Sequence, residues 1–507
     1  MRAVVPSVVL PLLLTAATAP ATPLGQRFLA TSASAALTAS SSTSAAATRV
    51  TLDSTNYVDH GLVAFGRIPN TAVDSYGESL GGLGSAIAVE SFITGKDGSF
   101  RGTIRLQPDR GHNQGGLATS DYRARSHVFN LSFRPLRANA KTPASENLKL
   151  TYKSTLLYKK GFNYTTGLDP DAVGSGEPPL PTASFDNHLT VDAEGLVSLD
   201  PFLFISDEYG PYIYAVEKAT GQIIGTLQPP AALVPVKGGK TNFSALSDPD
   251  TGRAANKGFE GLTLDRTTST LWALLQEATV QDGGSDKTTS RYARLLGYKL
   301  DLSNVVAFIQ SNPQPKPTHE YVVELPRSKK GNTRGASELH IIGDGHFLVL
   351  VRDGNGFGDT DSDSVYKQAA LVSIKKATDI AGSKYDSAST PVAPNGNLFS
   401  DVRPASVKDF VDLVDPKQLA KFGLHTGGDF NSNLIASKLE SLALISTGDR
   451  KNPHDYFLFV VSDNDFITRQ GKQAGQVDGK GKYVLASYSD PYAEKYSPQD
   501  TQAFVYR

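Results

Sequence analysis

The chain contains no cysteine among its 507 residues. This absence excludes disulfide bonds and thiolate sites. The chain also lacks an excess of either charge, because 50 Lys and Arg oppose 51 Asp and Glu to leave a formal net charge of −1. Such a balance gives no electrostatic reason to expect a nucleic-acid partner or a polybasic membrane contact.

Long hydrophobic runs are absent beyond the N-terminus, where no stretch reaches the roughly 20 apolar residues of a membrane-spanning helix. At the N-terminus itself, Arg2 precedes a short apolar run interrupted by Pro6 and Pro11, and Ala19-Pro20-Ala21 fits an A-x-A cleavage pattern. The sequence therefore predicts a signal peptide over residues 1–21 and a secreted protein. Residues 22–48 are rich in Ser, Thr and Ala and are expected to form a disordered leader, so that the folded domain spans 49–507.

Two common hydrolase signatures are missing as well. The chain has no G-x-S-x-G nucleophile elbow and no H-E-x-x-H zinc motif. A conventional α/β-hydrolase and a zinc metalloprotease are therefore disfavoured.

Short apolar strands separated by turn residues fill the rest of the chain, which also holds 46 Gly and 29 Pro. The stretch "PFLFISDEYGPYIYAVEKATGQIIGTLQPP" alone contains three such runs, at 202–206, 212–216 and 223–227. Helical periodicity is rare, and "SVKDFVDLVDPKQLAKFG" is the best candidate for one or two short helices. Many short strands without regular alternating helices predict an all-β fold.

A repeated unit organises these strands: a strand that begins with an acid, then a turn, a strongly apolar strand and a polar acidic cluster. Four units begin at Glu194, Glu260, Glu338 and Glu440, and a divergent first unit, "GGLGSAIAV", lacks the glutamate. The closing clusters contain Asp109-Arg110, Asp207-Glu208, Glu277, Arg352-Asp353 and Asp463-Asn464-Asp465. Radially repeated sheets of this kind predict a single β-propeller. We expect six blades, with the sixth built from the segment after Arg49 and the C-terminal strands, while five or seven blades remain alternatives.

The repeated glutamates are expected to converge on the channel mouth if their strands are innermost in each blade. Carboxylates held close together repel one another, and a bound cation would offset that repulsion. Oxygen ligands without cysteine favour Ca²⁺ over zinc or copper. The alternative is structural, since a glutamate at the start of a strand can also hydrogen-bond neighbouring backbone N–H groups and tie blades together.

Five motifs in the same order resemble the secreted phytase-like propeller family, described as having esterase-like activity of phytase. They are "LQPDRGHN", "LFISDEYGPYIYAVEKATG", "NKGFEGLTLD", "NTRGASELHIIGDGHFLVLVRDGNG" and "KLESLALI". The resemblance covers roughly residues 60–490. It implies a β-propeller and hydrolysis of phosphate or carboxylic esters, assisted by Ca²⁺. Two departures are the first unit without glutamate and Ser441 in place of glycine in the fifth.

The candidate site residues follow from this chemistry. The expected metal ligands are Glu194, Asp207, Glu208, Glu260, Glu277, Glu338, Asp353, Glu440, Asp463 and Asp465. Guanidinium groups match phosphate oxygens, so Arg110, Arg334 and Arg352, together with Lys257, are the expected substrate-binding residues. His112 is the candidate proton donor, and Asp109 and Glu260 complete the candidate catalytic group. The expected partner is a small phosphorylated or ester substrate, and the expected state is a monomer.

Two alternatives stay open. The Asp-Arg pairs would equally serve as salt bridges between blades, and the whole protein would then be a non-catalytic extracellular propeller that binds a ligand or partner. Three N-x-S/T sequons, at Asn130, Asn163 and Asn242, are expected glycosylation sites in a secreted chain.

Overall fold

A computed structural model describes residues 47–113, 120–137, 140–184, 187–311, 315–476 and 483–507. The predicted signal peptide and nearly all of the predicted leader lie outside these residues. Among the described residues, no helix is both long enough and apolar enough to cross a membrane.

Five four-stranded antiparallel sheets form the body of the molecule. From the innermost strand outward, blade 1 consists of Ala86–Thr94, Phe100–Gln107, Arg125–Phe133 and Leu148–Leu157. Blade 2 consists of Ala193–Leu199, Phe202–Asp207, Ile213–Glu217 and Ile223–Leu227. Blade 3 consists of Phe259–Asp265, Thr270–Leu275, Tyr292–Lys299 and His319–Glu324. Blade 4 consists of Gly335–Gly343, His346–Arg352, Lys367–Ser373 and Ser406–Asp412.

Both ends of the chain contribute to blade 5. Its strands, from the axis outward, are Lys438–Ser446, Tyr456–Asp463, Thr501–Tyr506 and the N-terminal strand Leu62–Ile68. Neighbouring innermost strands contact one another around the ring, and blade 5 contacts blade 1. This closure leaves only short inner edges, which the neighbouring blades protect.

The all-β propeller is confirmed, but the expected count of six blades is wrong. Leu62–Ile68 pairs with Thr501–Tyr506 and completes the fifth sheet, so these strands do not build a sixth. Tyr483–Tyr488, also expected in the sixth blade, pairs with Gly471–Gln476 in a separate hairpin. The described structure therefore matches the five-blade alternative.

The remaining elements are short. Two-stranded hairpins are formed by Thr48–Leu52 with Thr55–Asp59, Lys159–Lys160 with Asn163–Tyr164, Ala172–Gly174 with Leu180–Thr182, and Val236–Lys237 with Lys240–Thr241. The α-helices are Val305–Ser311, Pro416–Leu419 and Pro491–Lys495, and the 3₁₀ turns are Val280–Asp282, Lys384–Asp386, Pro394–Gly396 and Ala420–Phe422.

The predicted helical segment is only half helical. Its first part, Ser406–Asp412, is the outermost strand of blade 4, and helix begins only at Pro416. Asp415 caps that helix by accepting a hydrogen bond from the backbone N–H of Lys417 at 2.8 Å. The β-branched valines of the first part suit the pleated edge of a sheet.

The apolar core is divided among the five blade interfaces. In the second strand of blade 4, Phe347 and Val349 pack towards blade 3, whereas Leu348 and Leu350 pack towards blade 5. Both faces of the strand are thus buried, which explains why its sequence is continuously apolar instead of alternating. Since the apolar side chains pack between blades, the side chains at the axis are polar.

Glycine allows the innermost strands to approach closely. A Cβ atom on Gly195 would lie 2.6 Å from the backbone oxygen of Glu260 in the next blade. A Cβ atom on Gly261 would lie 2.5 Å from the backbone nitrogen of Leu339. Real Cβ atoms do not approach the backbone this closely. The contact between blades therefore requires glycine after Glu194 and after Glu260.

We expect Gly261→Ala to destabilise the protein by about 1–3 kcal/mol, because the added methyl group overpacks the interface between blades 3 and 4. The matched control is Gly354→Ala, since a Cβ atom there has no atom within 4 Å. Thermal and denaturant unfolding of both variants measure the difference. Equal stability of the two variants would contradict the packing role.

Candidate metal centre

The repeated glutamates and the acidic clusters meet on one face of the propeller. In each antiparallel blade, the start of the innermost strand lies beside the end of the second strand; for example, Ala193 pairs with Asp207 and Lys438 pairs with Asp463. The two polar parts of the repeat, distant in sequence, are thereby placed at the same end of the axis. We call this end the axial face.

A β-bulge accompanies each repeated glutamate. The register between the first and second strands shifts between Ala193 and Leu196, between Phe259 and Gly261, and between Leu439 and Ser441. In blade 4 the shift lies between Ala336 and Glu338, so the unpaired residue there is Ser337, and Glu338 itself pairs with Leu350. A bulge interrupts the ladder and redirects side chains locally, which suits a carboxylate inside a strand that is otherwise apolar.

Three of the four glutamates share one electrostatic environment. Burial raises the pKa of Glu194 well above its usual range, and the negative charges of Glu260 and Glu440 raise it further. Burial likewise raises the pKa of Glu260, with Glu208 and Glu440 adding to the effect. The structure therefore brings Glu194, Glu260 and Glu440 together as expected from the repeat.

Glu338 makes different contacts. Its Oε1 atom accepts hydrogen bonds from the backbone N–H groups of Leu262, at 3.0 Å, and of Leu339, at 2.8 Å. Leu262 belongs to blade 3 and Leu339 to blade 4. Glu338 therefore ties two blades together, as the structural alternative predicts, and we leave it out of the proposed metal site.

Two other expected ligands are also committed to local hydrogen bonds. Asp207 accepts bonds from the backbone N–H groups of Asp192, Tyr209 and Gly210 and from the hydroxyl of Tyr214, at 2.9–3.2 Å. Asp353 accepts bonds from Ser364, Val365, Tyr366 and Lys367, at 2.8–3.1 Å. Carboxylates satisfied in this way hold turns in place.

One acidic cluster retains an unsatisfied oxygen. Asp192, Glu194 and Glu208, all buried, can each offer a ligand atom such that these atoms lie within 4.8 Å of one another. Oε1 of Glu208 makes no hydrogen bond to the described residues although it is buried. Burial raises the pKa of Asp192 to about 7, against the opposing effect of Arg110. An oxygen without a partner in such a place is costly, so a cation bound at the cluster would offset that cost.

A second acidic cluster already contains a positive charge. Asp109, Asp463 and Asp465 also offer ligand atoms within 4.8 Å of one another. The ammonium group of Lys438 lies 2.9 Å from Asp463 and 2.7 Å from Asp465. Burial raises the pKa of Asp109, and the negative charges of Asp463 in this cluster and Asp192 in the first cluster raise it further. The two clusters are therefore neighbours on the axial face.

The expected phosphate-binding groups all have acidic partners. Arg110 contacts Asp192 at 3.0 Å, Arg334 lies 3.7 Å from Asp353, and Lys257 lies 3.4 Å from Glu277. Arg352 pairs with Glu440 and donates to the hydroxyl of Ser337 at 3.1 Å. Because Arg352 is the last residue of the second strand of blade 4 and Glu440 lies in blade 5, this pair also links two blades.

His112 is held rigidly. Its Nε2 atom lies 2.9 Å from a carboxylate oxygen of Asp490, and its ring stacks on Tyr488 with centroids 4.1 Å apart. His112 is buried. A role as proton donor remains a prediction.

Sequence reasoning missed three residues of the axial face. Asp192 and Lys438 each lie two positions before a repeated glutamate, where comparison of the repeats would have shown a charged side chain. Gln276 donates a hydrogen bond to Glu260 and accepts one from Lys257, so it orients both. Its only sequence signal is its position directly before Glu277.

The expected glycosylation sites differ in exposure. Asn130 lies exposed on the third strand of blade 1, and Asn163 lies exposed in a hairpin. Asn242 is half-buried, and its carboxamide oxygen accepts a hydrogen bond from the backbone of Ser244 at 3.0 Å. Glycosylation at the three positions remains a prediction.

Comparison with known proteins agrees with the motifs. A family model described as phytase-like, esterase-like activity of phytase, matches residues 98–466. The chain belongs to this phytase-like family. It is also 36% identical over 464 residues to a protein of Arthroderma benhamiae described as an uncharacterized secreted protein, covering 82% of this chain and 88% of that one.

Solved structures resemble the chain only weakly. A putative oxidoreductase (glucose dehydrogenase) of Thermus thermophilus is 11% identical, with a TM-score of 0.28 and coverage of 87% of this chain and 99% of that chain. The N-terminal domain of Nup159 is 11% identical, with a TM-score of 0.27 and coverage of 88% and 95%. Likenesses of this strength carry no argument about function.

Removing the carboxylate of Glu338 tests its role as a tie. We expect Glu338→Ala to destabilise the protein by about 1–3 kcal/mol, because two buried N–H groups lose their acceptor. Glu338→Gln keeps a carbonyl oxygen at that place and should retain most of the stability. Denaturant unfolding of the two variants provides the measurement, and an alanine variant as stable as the parent would contradict the role.

Proposed function

We propose that this protein is a secreted hydrolase of phosphate esters, or of carboxylic esters, which uses a divalent cation bound at Asp192, Glu194 and Glu208. The family description supports hydrolysis, and the secreted Arthroderma relative together with the N-terminal sequence supports secretion. The main observation for the site is the buried Oε1 atom of Glu208, which lies beside two other carboxylates and has no hydrogen-bond partner in the described parts of the chain.

Calcium is the cation that fits this donor set. The three ligands are all carboxylates, with no imidazole in the cluster and no thiol in the chain. Ca²⁺ prefers such hard oxygen ligands and tolerates irregular geometry. The carboxylates of Asp192 and Glu208 offer ligand atoms within 4.8 Å of one another, so a cation between them would offset their repulsion.

A bound divalent cation would neutralise charge on an ester or phosphoryl oxygen and would activate a water molecule. Side chains of the protein would bind and orient the substrate. Arg110 contacts Asp192 and is thus the basic group nearest to the proposed ligands. Its planar guanidinium group would orient a phosphate bound there. Arg352, Lys257 and Arg334 are further candidates, although each would have to share its charge with a carboxylate.

Candidate groups for proton transfer lie on the axial face and next to it. Asp490 faces Nε2 of His112, so Nδ1 is the atom that would pass a proton to a leaving group. Glu260, oriented by Gln276, and Asp109 are the candidate bases for the attacking water. These roles require the substrate to lie over the axial face.

One observation favours the alternative function, a non-catalytic extracellular binding propeller. The basic residues Arg110, Arg334, Arg352 and Lys257 are all paired with carboxylates. Pairs of this kind hold the polar side chains of the axial face in place without any substrate, and the pair of Arg352 with Glu440 also links two blades. Cation binding alone does not distinguish the two functions, so activity and cation binding must be measured separately.

We expect the purified protein to bind Ca²⁺ and Glu208→Gln to weaken that binding at least about tenfold, because the substitution removes a ligand charge. Calorimetric titration measures the affinity. Glu338→Gln is the control, since it removes a buried carboxylate of the innermost strand of blade 4, outside the proposed cluster. Equal affinities of the parent and the Glu208 variant would contradict the site.

Hydrolysis is tested separately with phytate and simple aryl esters, in the presence of Ca²⁺ and of a chelator. We expect calcium-dependent activity that Arg110→Lys reduces more through KM than through kcat, because lysine keeps the charge but loses the two-pronged contact with phosphate. Calcium binding without activity on any substrate would support the binding propeller over the hydrolase.

A further inference from the structure

We propose that Lys438 acts as a built-in counter-ion that occupies the second acidic cluster, so that the axial face takes one divalent cation instead of two. This inference rests on the proposed function only in assuming that Asp192, Glu194 and Glu208 bind the first cation. It concerns a residue that the repeat pattern places two positions before Glu440.

The two clusters are alike in their acids. Each offers three carboxylate ligand atoms within 4.8 Å of one another, and each lies where a first strand begins or a second strand ends. Three carboxylates in such a space resemble the ligand set that a calcium ion needs. On the acids alone, the axial face would hold two cations.

The clusters differ in how their charge is balanced. In the first cluster, Arg110 contacts Asp192 from one side, and the buried Oε1 atom of Glu208 has no partner among the residues that the structure describes. In the second cluster, the ammonium nitrogen of Lys438 lies within 2.9 Å of both Asp463 and Asp465. A nitrogen at this distance from two carboxylates excludes a metal ion from the space between them.

Backbone geometry holds Lys438 in this place. It is the first residue of the innermost strand of blade 5 and is paired in the ladder with Asp463. Asp463 in turn accepts the backbone N–H of Asp465 at 2.6 Å, which fixes the loop that carries the second acid. The ion pairs with Asp463 and Asp465 fix the ammonium group of Lys438 between these two acids.

The consequence is a fixed stoichiometry. A tethered ammonium group neutralises part of the second cluster at every calcium concentration, whereas the first cluster depends on a dissociable ion. The occupancy of the axial face would then report a single binding event, and only the first cluster would respond to chelators.

The test is the number of calcium ions bound by the whole folded domain, measured by equilibrium dialysis with metal analysis. We expect one ion for the parent and two for Lys438→Met, which keeps the length of the side chain but removes its charge. Lys438→Arg, which keeps the charge, should bind one. Adding Asp109→Asn to Lys438→Met should return the number to one.

Each outcome decides one question. A parent that binds one ion and a methionine variant that also binds one would overturn the role of Lys438 while leaving the first site in place. A parent that binds two ions would overturn it as well. A parent that binds none would overturn the proposed calcium site, yet a methionine variant that gains an ion would still support the inference.

The inference can still be tested if Lys438→Met is less stable than the parent protein. If Lys438→Met unfolds without calcium, added Ca²⁺ should restore folding by replacing the missing positive charge, and Mg²⁺ should do so less well because it demands stricter geometry. Circular dichroism during a calcium titration measures this. A variant that calcium does not refold would overturn the inference.

Discussion

The close approach of five innermost strands around one axis is the constraint on which the rest of the structure depends. Glycines at Gly195 and Gly261 permit this approach, because any side chain there would collide with the backbone of the next blade. Once the strands are this close, the carboxylates at their bulges are buried together at one end. Taking charged groups out of water is costly unless they are paired, hydrogen-bonded or neutralised. The axial face uses each of these solutions at a different blade.

The buried carboxylates of the axial face are stabilised by different partners. Glu338 is satisfied by two backbone N–H groups, and Glu440 is paired with Arg352. Asp463 and Asp465 are paired with Lys438. Only the cluster around Glu208 retains, among the described residues of this face, a buried carboxylate oxygen without a partner. A repeat that looks symmetrical in sequence is thus asymmetrical in charge, and this asymmetry singles out one cluster for a cation.

Much of the fold could be predicted because its cause is local. An apolar run such as "HFLVLV" is buried on both faces, and this is the pattern that identified the strands. Closure could not be predicted in the same way. The pairing of Leu62–Ile68 with Thr501–Tyr506 joins the two ends of the chain, and no local pattern distinguishes it from the start of another blade. The extra blade in the prediction came from that pairing.

The site was predicted in outline for a similar reason. The repeat showed which residues share a position, but not what each carboxylate contacts, because the partners come from other blades. The sequence repeat matches Glu338 with Glu260, but Glu260 is the unpaired residue of its bulge, whereas Glu338 pairs with Leu350 beside a bulge at Ser337. Glu338 accepts backbone N–H groups, and Glu260 is oriented by Gln276. The residue two positions before the glutamate is Asp192 in one blade and Lys438 in another. That single difference in sign makes one cluster more acidic and supplies the other with its own cation, so function at this face depends on the positions where the repeat is broken.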